Sequence, residues 1–477
     1  MHDDRLEKLL SDVLEELAPK DHERRTVNRI VRSFITKISD ICKEVGVDAR
    51  AEVQGSVAKD TWISGDRDID IFIVFPKTTP LAEVKTLGLE IAKRVAGDNY
   101  MEYYAEHPYI RAFVEGYAVD IVPCSEFDPK SGRPLTAVDR TPLHTRFINE
   151  RFDDRLRAEV RLLKGFLKGI GAYGAEIKVS GFSGYLCELL ILRYDSFLGV
   201  LKNARHWRPF STFIDVAKHY ENPQQALKVF NSPLVVVDPV DRNRNVAAAL
   251  SLEKLSLFML ASMLFLLKPS KVFFEPEERL LTEATKEDLR DYVEKSRTTL
   301  LAIATTLKPS PPDILWGQIR RSCNGIVKLL EQEGFKVLRW SAWSDDEREV
   351  VLLVELESRV ITPTIKHMGP PITSVDDAIR FVQKHASSPS TVAGPCIEGD
   401  KLFVLTIKRA SDAVSFIKDS VHKAELSKDF AEALKKGFRV LLNEEVLDAC
   451  EGKKSEYRRF LKSFLRGFPH WLQALLS

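Results

Sequence analysis

Residues 55–75 read GSVAKDTWISGDRDIDIFIVF, and this stretch decides the fold. From Asp68 to Phe75, two acids stand opposite an apolar face, the period of two that marks a strand, and Pro76 ends it. Side chains at i and i+2 of a strand point to the same side, so Asp68 and Asp70 lie next to each other while Ile69 and Ile71 enter a core. Adjacent carboxylates repel unless a cation lies between them. Mg²⁺ suits such a pair, because it takes one or two carboxylates together with phosphate oxygens and water. Eleven residues separate the pair from Gly55-Ser56, which opens a short helical stretch, Val57 to Trp62. Glycine lets the backbone approach closely, and a helix N-terminus offers N–H groups and a positive dipole end to phosphate. Lys59 adds charge one turn on.

Working outward, Leu6, Leu9, Leu10, Val13, Leu14 and Leu17 recur at helical spacing, and a second helix is expected over 21–45. Strands are expected at 50–54, 101–105, 109–115 and 117–122, with a helix over 81–96 and Gly116 turning between the last two strands. The first 150 residues thus form an α/β unit with a mixed sheet. Asp120 stands alone in the apolar strand 117–122, and a lone acid there needs a partner. If that strand neighbours the first, three carboxylates converge and can hold two Mg²⁺. One ion would activate an attacking hydroxyl and the other would hold a triphosphate and its leaving pyrophosphate. A DxD at a strand end is otherwise often a solvated edge, and GS a common turn. The conjunction of GS, a short gap, DxD in an apolar strand and a later isolated Asp points to catalysis.

With 477 residues, 44% of them hydrophobic, the chain is too long for one core. The net charge of +1 gives no basic excess, so any nucleic-acid surface must be a local patch. Cys42, Cys124, Cys187, Cys323, Cys396 and Cys450 form no CxxC pair, which suggests neither zinc nor disulfides and fits a reducing compartment. The N-terminus has no apolar signal core, and the longest apolar run, Leu255 to Leu267, is shorter than the roughly 18 residues of a membrane span. That run reads as a buried helix, and a soluble cytoplasmic protein is expected. From Glu150 to Leu267 the pattern is mainly helical, broken by glycines between 169 and 184 and by Pro239. The cluster PSPPD at 309–313 marks a boundary. Beyond it a helix (316–333), two strands (335–340, 350–357) and a helix (375–384) make a small α+β domain. A strand (402–407) and then helices run to the end.

Further segments narrow the family: YAEHPY (104–109), VDIVPC (119–124), AVDRTPLH (137–144), RLLKGFLKGIGAYGAEIKVSGFSGYLCELLI (161–191), VVDPVDRNRNVAAALS (236–251) and HMGPP (367–371). With GS…DID…Asp120 they resemble the archaeal, class I CCA-adding enzymes (tRNA nucleotidyltransferases) of the polymerase β-type nucleotidyltransferase superfamily. The resemblance implies an α+β multidomain chain. Its parts are a mixed-sheet catalytic head (1–152), a helical neck that recognises the base (153–267), an α/β body (268–308 plus 391–477) and a small α+β tail that binds the tRNA elbow (309–390). It implies addition of C, C and A from CTP and ATP to the tRNA 3′ end without a nucleic-acid template, and it admits a homodimer.

Read without the family, Arg161, Lys164 and Lys168 make one helix face basic, and Tyr173 stands after a glycine-rich turn. A lysine supplies a point charge and a tyrosine a hydroxyl to a triphosphate, whereas most basic helix faces are solvated surface. In the resembling family the positions matching Ser56, Lys59, Thr141, His144, Lys164 and Tyr173 contact the nucleotide, with Gly55 beside Ser56. Arg stands in the family where this chain has Lys59, which keeps the charge but loses the bidentate fork. His144 reads equally as a satisfied helix-start histidine. By resemblance Arg244 reads the incoming base. The alternative is a loop arginine paired with Asp241, and Arg242 competes for the role. Glu106 and His107 match a segment near the primer end, where His107 either stacks on a base or caps a strand.

Two local stretches are basic. Residues 150–208 hold eleven Lys/Arg against seven Asp/Glu, and residues 451–471 hold six against two. In the second, the aromatics Tyr457, Phe460, Phe464, Phe468 and Trp471 pack the helix onto its domain. Arg458, Arg459, Lys462 and Arg466 are then expected to face outward toward RNA read by shape. Three other readings share parts of this pattern. A poly(A) polymerase would share the carboxylates but add only A. A silent RNA-binding relative would have lost an Asp, and all three are present. A bacterial-type class II CCA-adding enzyme would carry EDxxR, whereas Arg290 comes one residue too soon after Glu287-Asp288.

Overall fold

The computed structural model describes residues 2–104, 108–128, 134–407 and 410–473. The chain divides into two compact units, Met1–Leu280 with Pro469–Ser477, and Leu281–Phe468.

Unit 1 opens with α1 (His2–Leu17) and α2 (Asp21–Glu44). Along α2, Val27, Ile30, Phe34, Ile38 and Cys42 are buried at spacings of three and four, one helical stripe. Then come β1 (Arg50–Gln54), the single turn α3 (Gly55–Ala58), β2 (Asp68–Phe75), α4 (Leu81–Ala96), β3 (Tyr100–Tyr104), β4 (Pro108–Val114) and β5 (Tyr117–Ser125). The five strands form one sheet in the order β1-β2-β5-β4-β3. The β2–β5 pair is parallel and the other pairs are antiparallel, giving the expected mixed sheet. Ile69, Ile71, Ile73 and Phe75 face a core shared with α2 and α4. Phe72 and Val74 face the other side, packing with Val122 and Cys124. By strand alternation, Asp68, Asp70 and Asp120 belong to this second face.

A helical layer comes next: α5 (Thr141–Asn149), α6 (Asp154–Gly169), α7 (Gly184–Tyr194) and α8 (Phe197–Ala204). After it stand the strand β6 (Phe213–Ile214), the helix α9 (Pro223–Phe230) and the strands β7 (Val235–Asp238) and β8 (Asp241–Asn245). These strands form a small sheet that the helical reading of this region did not contain. The layer ends with α10 (Leu252–Leu267) and α11 (Glu277–Leu280). Its core interlocks Phe166, Phe197, Phe258, Phe265, Phe273 and Phe274, and Val13 of α1 and Trp471 join it. Two expectations change here. The helix α10 buries Leu255, Phe258, Ala261, Ser262 and Phe265 but leaves Leu260, Met263 and Leu267 exposed, so only one face is core. Residues near 273 and 471, expected in the body, pack in this layer instead, where Phe273 stacks on Trp471 with centroids 5.4 Å apart.

Unit 2 contains α12 (Lys286–Ser296), β9 (Thr299–Thr306), α13 (Pro312–Glu333), β10 (Val337–Ser344) and β11 (Glu349–Leu356). Next come β12 (Thr364–Pro371), α14 (Val375–Ala386), β13 (Thr391–Glu398) and β14 (Lys401–Ile407). The unit closes with α15 (Ala413–Ser420), α16 (Lys428–Lys436), β15 (Arg439–Leu442) and α17 (Lys454–Arg466). One antiparallel sheet runs β10-β11-β9-β15 and a second runs β12-β14-β13. The first sheet is apolar on both faces. Leu301, Ile303, Leu352 and Val354 pack on one side with α13, α15 and α16, while Leu300, Ala302, Val351 and Leu353 pack on the other with Tyr457 and Leu461 of α17. The expected tail boundaries at 309 and 390 therefore fall inside packed structure. Helix α13 and strands β10 and β11 belong with β9, and the small sheet takes in β13 and β14 beyond residue 390. Five of the six cysteines are buried and all are free. Among the described residues no helix is long and apolar enough to cross a membrane.

Candidate active site

The register of β2 on β5 sets Asp70 level with Asp120, with Asp68 two residues toward the start of the strand. Gly55 closes on them from the β1 side. Its φ is +67°, and a Cβ there would stand 1.9 Å from Asp70 Oδ2. Only glycine lets the backbone come this close to the carboxylate. Burial, reinforced by the charges of Asp120 and Asp68, pushes the Asp70 carboxyl up to about 6. Burial also raises Asp68, and Arg111 partly offsets it. Among the described residues, neither Asp68 nor Asp70 has a hydrogen-bond donor or an ion-pair partner. Asp120 does: Arg111, its cross-strand neighbour on β4, places Nε 2.6 Å from Oδ1 and Nη2 2.7 Å from Oδ2. Among the described residues no three acids, histidines or cysteines are gathered tightly enough to chelate an ion as they stand. The donor set still suits a hard divalent cation: carboxylates on one face, two of them without a direct ion pair among the described residues.

The segment between α3 and β2 departs from the expected helix over 57–62. The helix lasts one turn, and Asp60 at φ 50° breaks it. The basic face of α6 grips the loop 60–66. Arg161 donates to the carbonyls of Asp60 (2.5 Å) and Trp62 (3.1 Å) and pairs with the Asp60 carboxylate. Lys164 Nζ donates to the Thr61 carbonyl at 2.8 Å, and Lys168 pairs with Asp66 at 2.6 Å. From the opposite side, Glu23 accepts from Ser64 Oγ and the Gly65 N–H, each at 2.9 Å. Arg161 and Lys164 are thus buried against the loop that feeds β2, not presented as a solvated basic face.

Lys59 is buried and pairs with Glu188 of α7 at 2.6 Å, and Thr61 Oγ1 donates to the other Glu188 oxygen at 2.6 Å. The Tyr173 hydroxyl and the Lys164 ammonium meet at Gly184, where a Cβ would lie 3.1 Å from the first and 3.5 Å from the second. Burial pushes the Tyr173 hydroxyl well up and the Lys164 ammonium down. Thr141 begins α5, and Ser56 lies in α3.

Asp238, at the end of β7, is fully buried and organises a second cluster. Its Oδ2 takes His144 Nε2 at 2.8 Å and Arg244 Nη1 at 2.7 Å, and its Oδ1 accepts from the Val240 N–H at 3.0 Å. Tyr185 stacks on His144 with centroids 4.1 Å apart. Burial lowers the His144 pKa, which favours a neutral ring donating from Nε2. Burial alone would raise Asp238, but the bonds from His144 and Arg244 bring it below its ordinary value. Arg244 therefore pairs with Asp238. Asp241, its expected alternative partner, takes Arg140 at 2.8 Å. Arg242 lies over the Tyr220 ring, 5.1 Å from its centroid.

Glu106 and His107 fall outside the described residues. On α17, Lys462 pairs with Asp288 at 2.7 Å, Arg458 lies 3.8 Å from both Glu283 and Asp448, and Arg459 is half-buried. Arg458 and Lys462, expected to face outward, stay about a third exposed beside these carboxylates. Arg111, Glu188 and Asp238 are the site residues that sequence reasoning missed.

Three family models match the chain in order. They are a nucleotidyltransferase domain over residues 35–144, the second domain of tRNA nucleotidyltransferase over 158–275, and the C-terminal domain of CCA-adding enzymes over 297–443. The chain is 39% identical over 462 residues to a CCA-adding enzyme of Methanothermobacter thermautotrophicus, covering 95% of this chain and 97% of that one. Against a CCA-adding enzyme of Pyrobaculum aerophilum it is 40% identical, covering 85% and 91%. Against one of Methanopyrus kandleri it is 36% identical, covering 97% and 98%.

Proposed function

This chain belongs to the CCA-adding enzymes, and we propose that the carboxylate face of β2 and β5 carries out its nucleotide transfer. The chain is a nucleotidyltransferase that adds the CCA end to tRNA from nucleoside triphosphates. The observation that carries the site reading is the register that sets Asp70 level with Asp120, with Gly55 packed against Asp70. Asp68, Asp70 and Asp120 would hold two Mg²⁺, which supply the charge that phosphoryl transfer needs on the attacking hydroxyl and the leaving pyrophosphate.

The chain's own residues do the positioning. Gly55 and Ser56 bring backbone to the edge of the carboxylate face. Lys59 and Lys164, buried and held by Glu188 and the Thr61 carbonyl, place positive charge behind a triphosphate site without standing free in it, and Tyr173 and Thr141 supply its hydroxyls. Arg244 reads the incoming C or A of CTP and ATP without a nucleic-acid template. One of its nitrogens is fixed by Asp238, and the others have no partner among the described residues. His144, on the same Asp238 oxygen, sets the edge of that pocket. In the order of the chain, β1–β5 serve as head, α6 to α10 as neck, the four-stranded sheet as body, and the three-stranded sheet as the tail for the tRNA elbow.

The test is single-turnover incorporation by full-length Asp70→Asn and Asp120→Asn on tRNA that lacks its CCA. Each variant is expected to lose about a hundredfold or more in rate while binding tRNA as the parent does. Undiminished incorporation by either would remove that residue from the site.

A further inference from the structure

Asp120 is the one carboxylate of the three that already holds a cation. Arg111 lies directly opposite it in the antiparallel β4–β5 ladder, the position whose side chain shares its face. The fork is bidentate, at 2.6 and 2.7 Å. The guanidinium is also pinned from the side: it lies 5.3 Å from the centroid of the Tyr103 ring, which stacks on Tyr109 at 5.7 Å. A metal approaching Asp68 and Asp70 therefore meets a third carboxylate each of whose oxygens already accepts one bond from a cation.

We infer that Arg111 is a positioning residue that serves as the counter-ion of the metal-free site, holding Asp120 on the carboxylate face and yielding at least one of its oxygens when a divalent cation binds. The inference rests on the reading of Asp68, Asp70 and Asp120 as metal ligands. Without a counter-ion, three carboxylates on one face repel one another. With the metal present, the guanidinium and the ion share a carboxylate and repel each other at short range. Arg111 thus offsets the repulsion among the carboxylates and competes with a divalent cation for Asp120, two effects of one charge.

The experiment measures Mn²⁺ binding to the full-length protein, without nucleotide or tRNA, by calorimetry and by the electron paramagnetic resonance of free Mn²⁺. It compares the parent with Arg111→Gln and Arg111→Lys, and tracks thermal unfolding with and without Mn²⁺. Arg111→Gln is expected to bind Mn²⁺ roughly tenfold more tightly, to melt lower without metal, and to gain more from Mn²⁺ than the parent does. Arg111→Lys keeps the charge but gives up the two-point fork, and is expected to fall between the parent and Arg111→Gln. Equal or weaker binding by Arg111→Gln, or equal tightening by both variants, overturns the inference and leaves the metal reading standing. If the parent binds no Mn²⁺, or if Asp68→Asn binds it undiminished, the metal reading fails and takes the inference with it.

Discussion

At the scale of single residues, the site depends on a few positions that tolerate little change. Gly55 needs both a left-handed backbone and the absence of a side chain, since a Cβ would enter the Asp70 carboxylate. Gly55→Ala is expected to cost about 1–3 kcal/mol of stability and to reduce CTP incorporation at least tenfold. A variant with parental rate in a primer-extension time course would contradict that. Glu188 holds buried Lys59 and Thr61 together, so Glu188→Ala strands a buried ammonium and is expected to cost about 3–5 kcal/mol by denaturant unfolding. An unchanged midpoint would show that water reaches Lys59. His144 and Asp238 predict a pH dependence. Both bind protons less readily folded than unfolded, so their stabilisation is complete above a pH of about 6.5 and is lost as pH falls. The melting temperature of the parent should therefore drop more steeply than that of His144→Gln between about pH 6.5 and 5. Parallel curves would contradict the neutral, Asp238-bound histidine. Asp68, Asp70 and Asp120 are legible because acids in apolar strands break a period of two. Glu188 and Asp238 stand alone in CELLI and VVVD, and nothing local says which distant group each one meets, whereas Arg111 faces Asp120 across the hairpin turned at Gly116 and follows from its register. Asp238 and Glu188 are, like Asp120, lone acids in apolar runs, and that signal alone could have marked both as needing a partner.

At the scale of elements, the parts that read best are those with one wet and one dry face. Helices α2 and α4 and strands β1, β3 and β4 lie within a few residues of their expected places because a half-buried element announces its period, while β2 and β5, buried on both faces toward their ends, are marked by their acids. Strand β9 (TLLAIATT) escapes a sequence reading because apolar contacts on both faces erase the alternation. Strand β12 covers HMGPP, whose prolines argue for a break. It lies at the edge of its sheet, where a missing N–H is tolerated. The basic face of α6 is visible in the sequence, but its burial is not, since nothing in the sequence shows that the loop 60–66 folds over it. The same limit hides the return of the chain end, where Trp471 enters the aromatic core of unit 1. Trp471→Ala is expected to cost about 3–5 kcal/mol and to lower the melting temperature of that unit. A change below about 1 kcal/mol would show that the indole adds little to that core.

At the scale of the whole molecule, the family and its reaction are readable because six separated segments agree in order, from Tyr104 to Pro371, whereas composition is silent. A chain with a net charge of +1 does not look like an RNA enzyme, and several of its cations are held by carboxylates such as Asp60, Asp66, Glu188 and Asp238. The domain limits read less well, because contacts between distant strands decide them: β9 recruits β11 and β15 from far along the chain. The central claim is that this chain builds CCA, and primer extension at single-nucleotide resolution tests it most directly. With Mg²⁺ and a tRNA that lacks its CCA, CTP alone should add two residues, and CTP with ATP should add a third and then stop. An unlimited A tail from ATP alone, or no incorporation under any of these conditions, would contradict it.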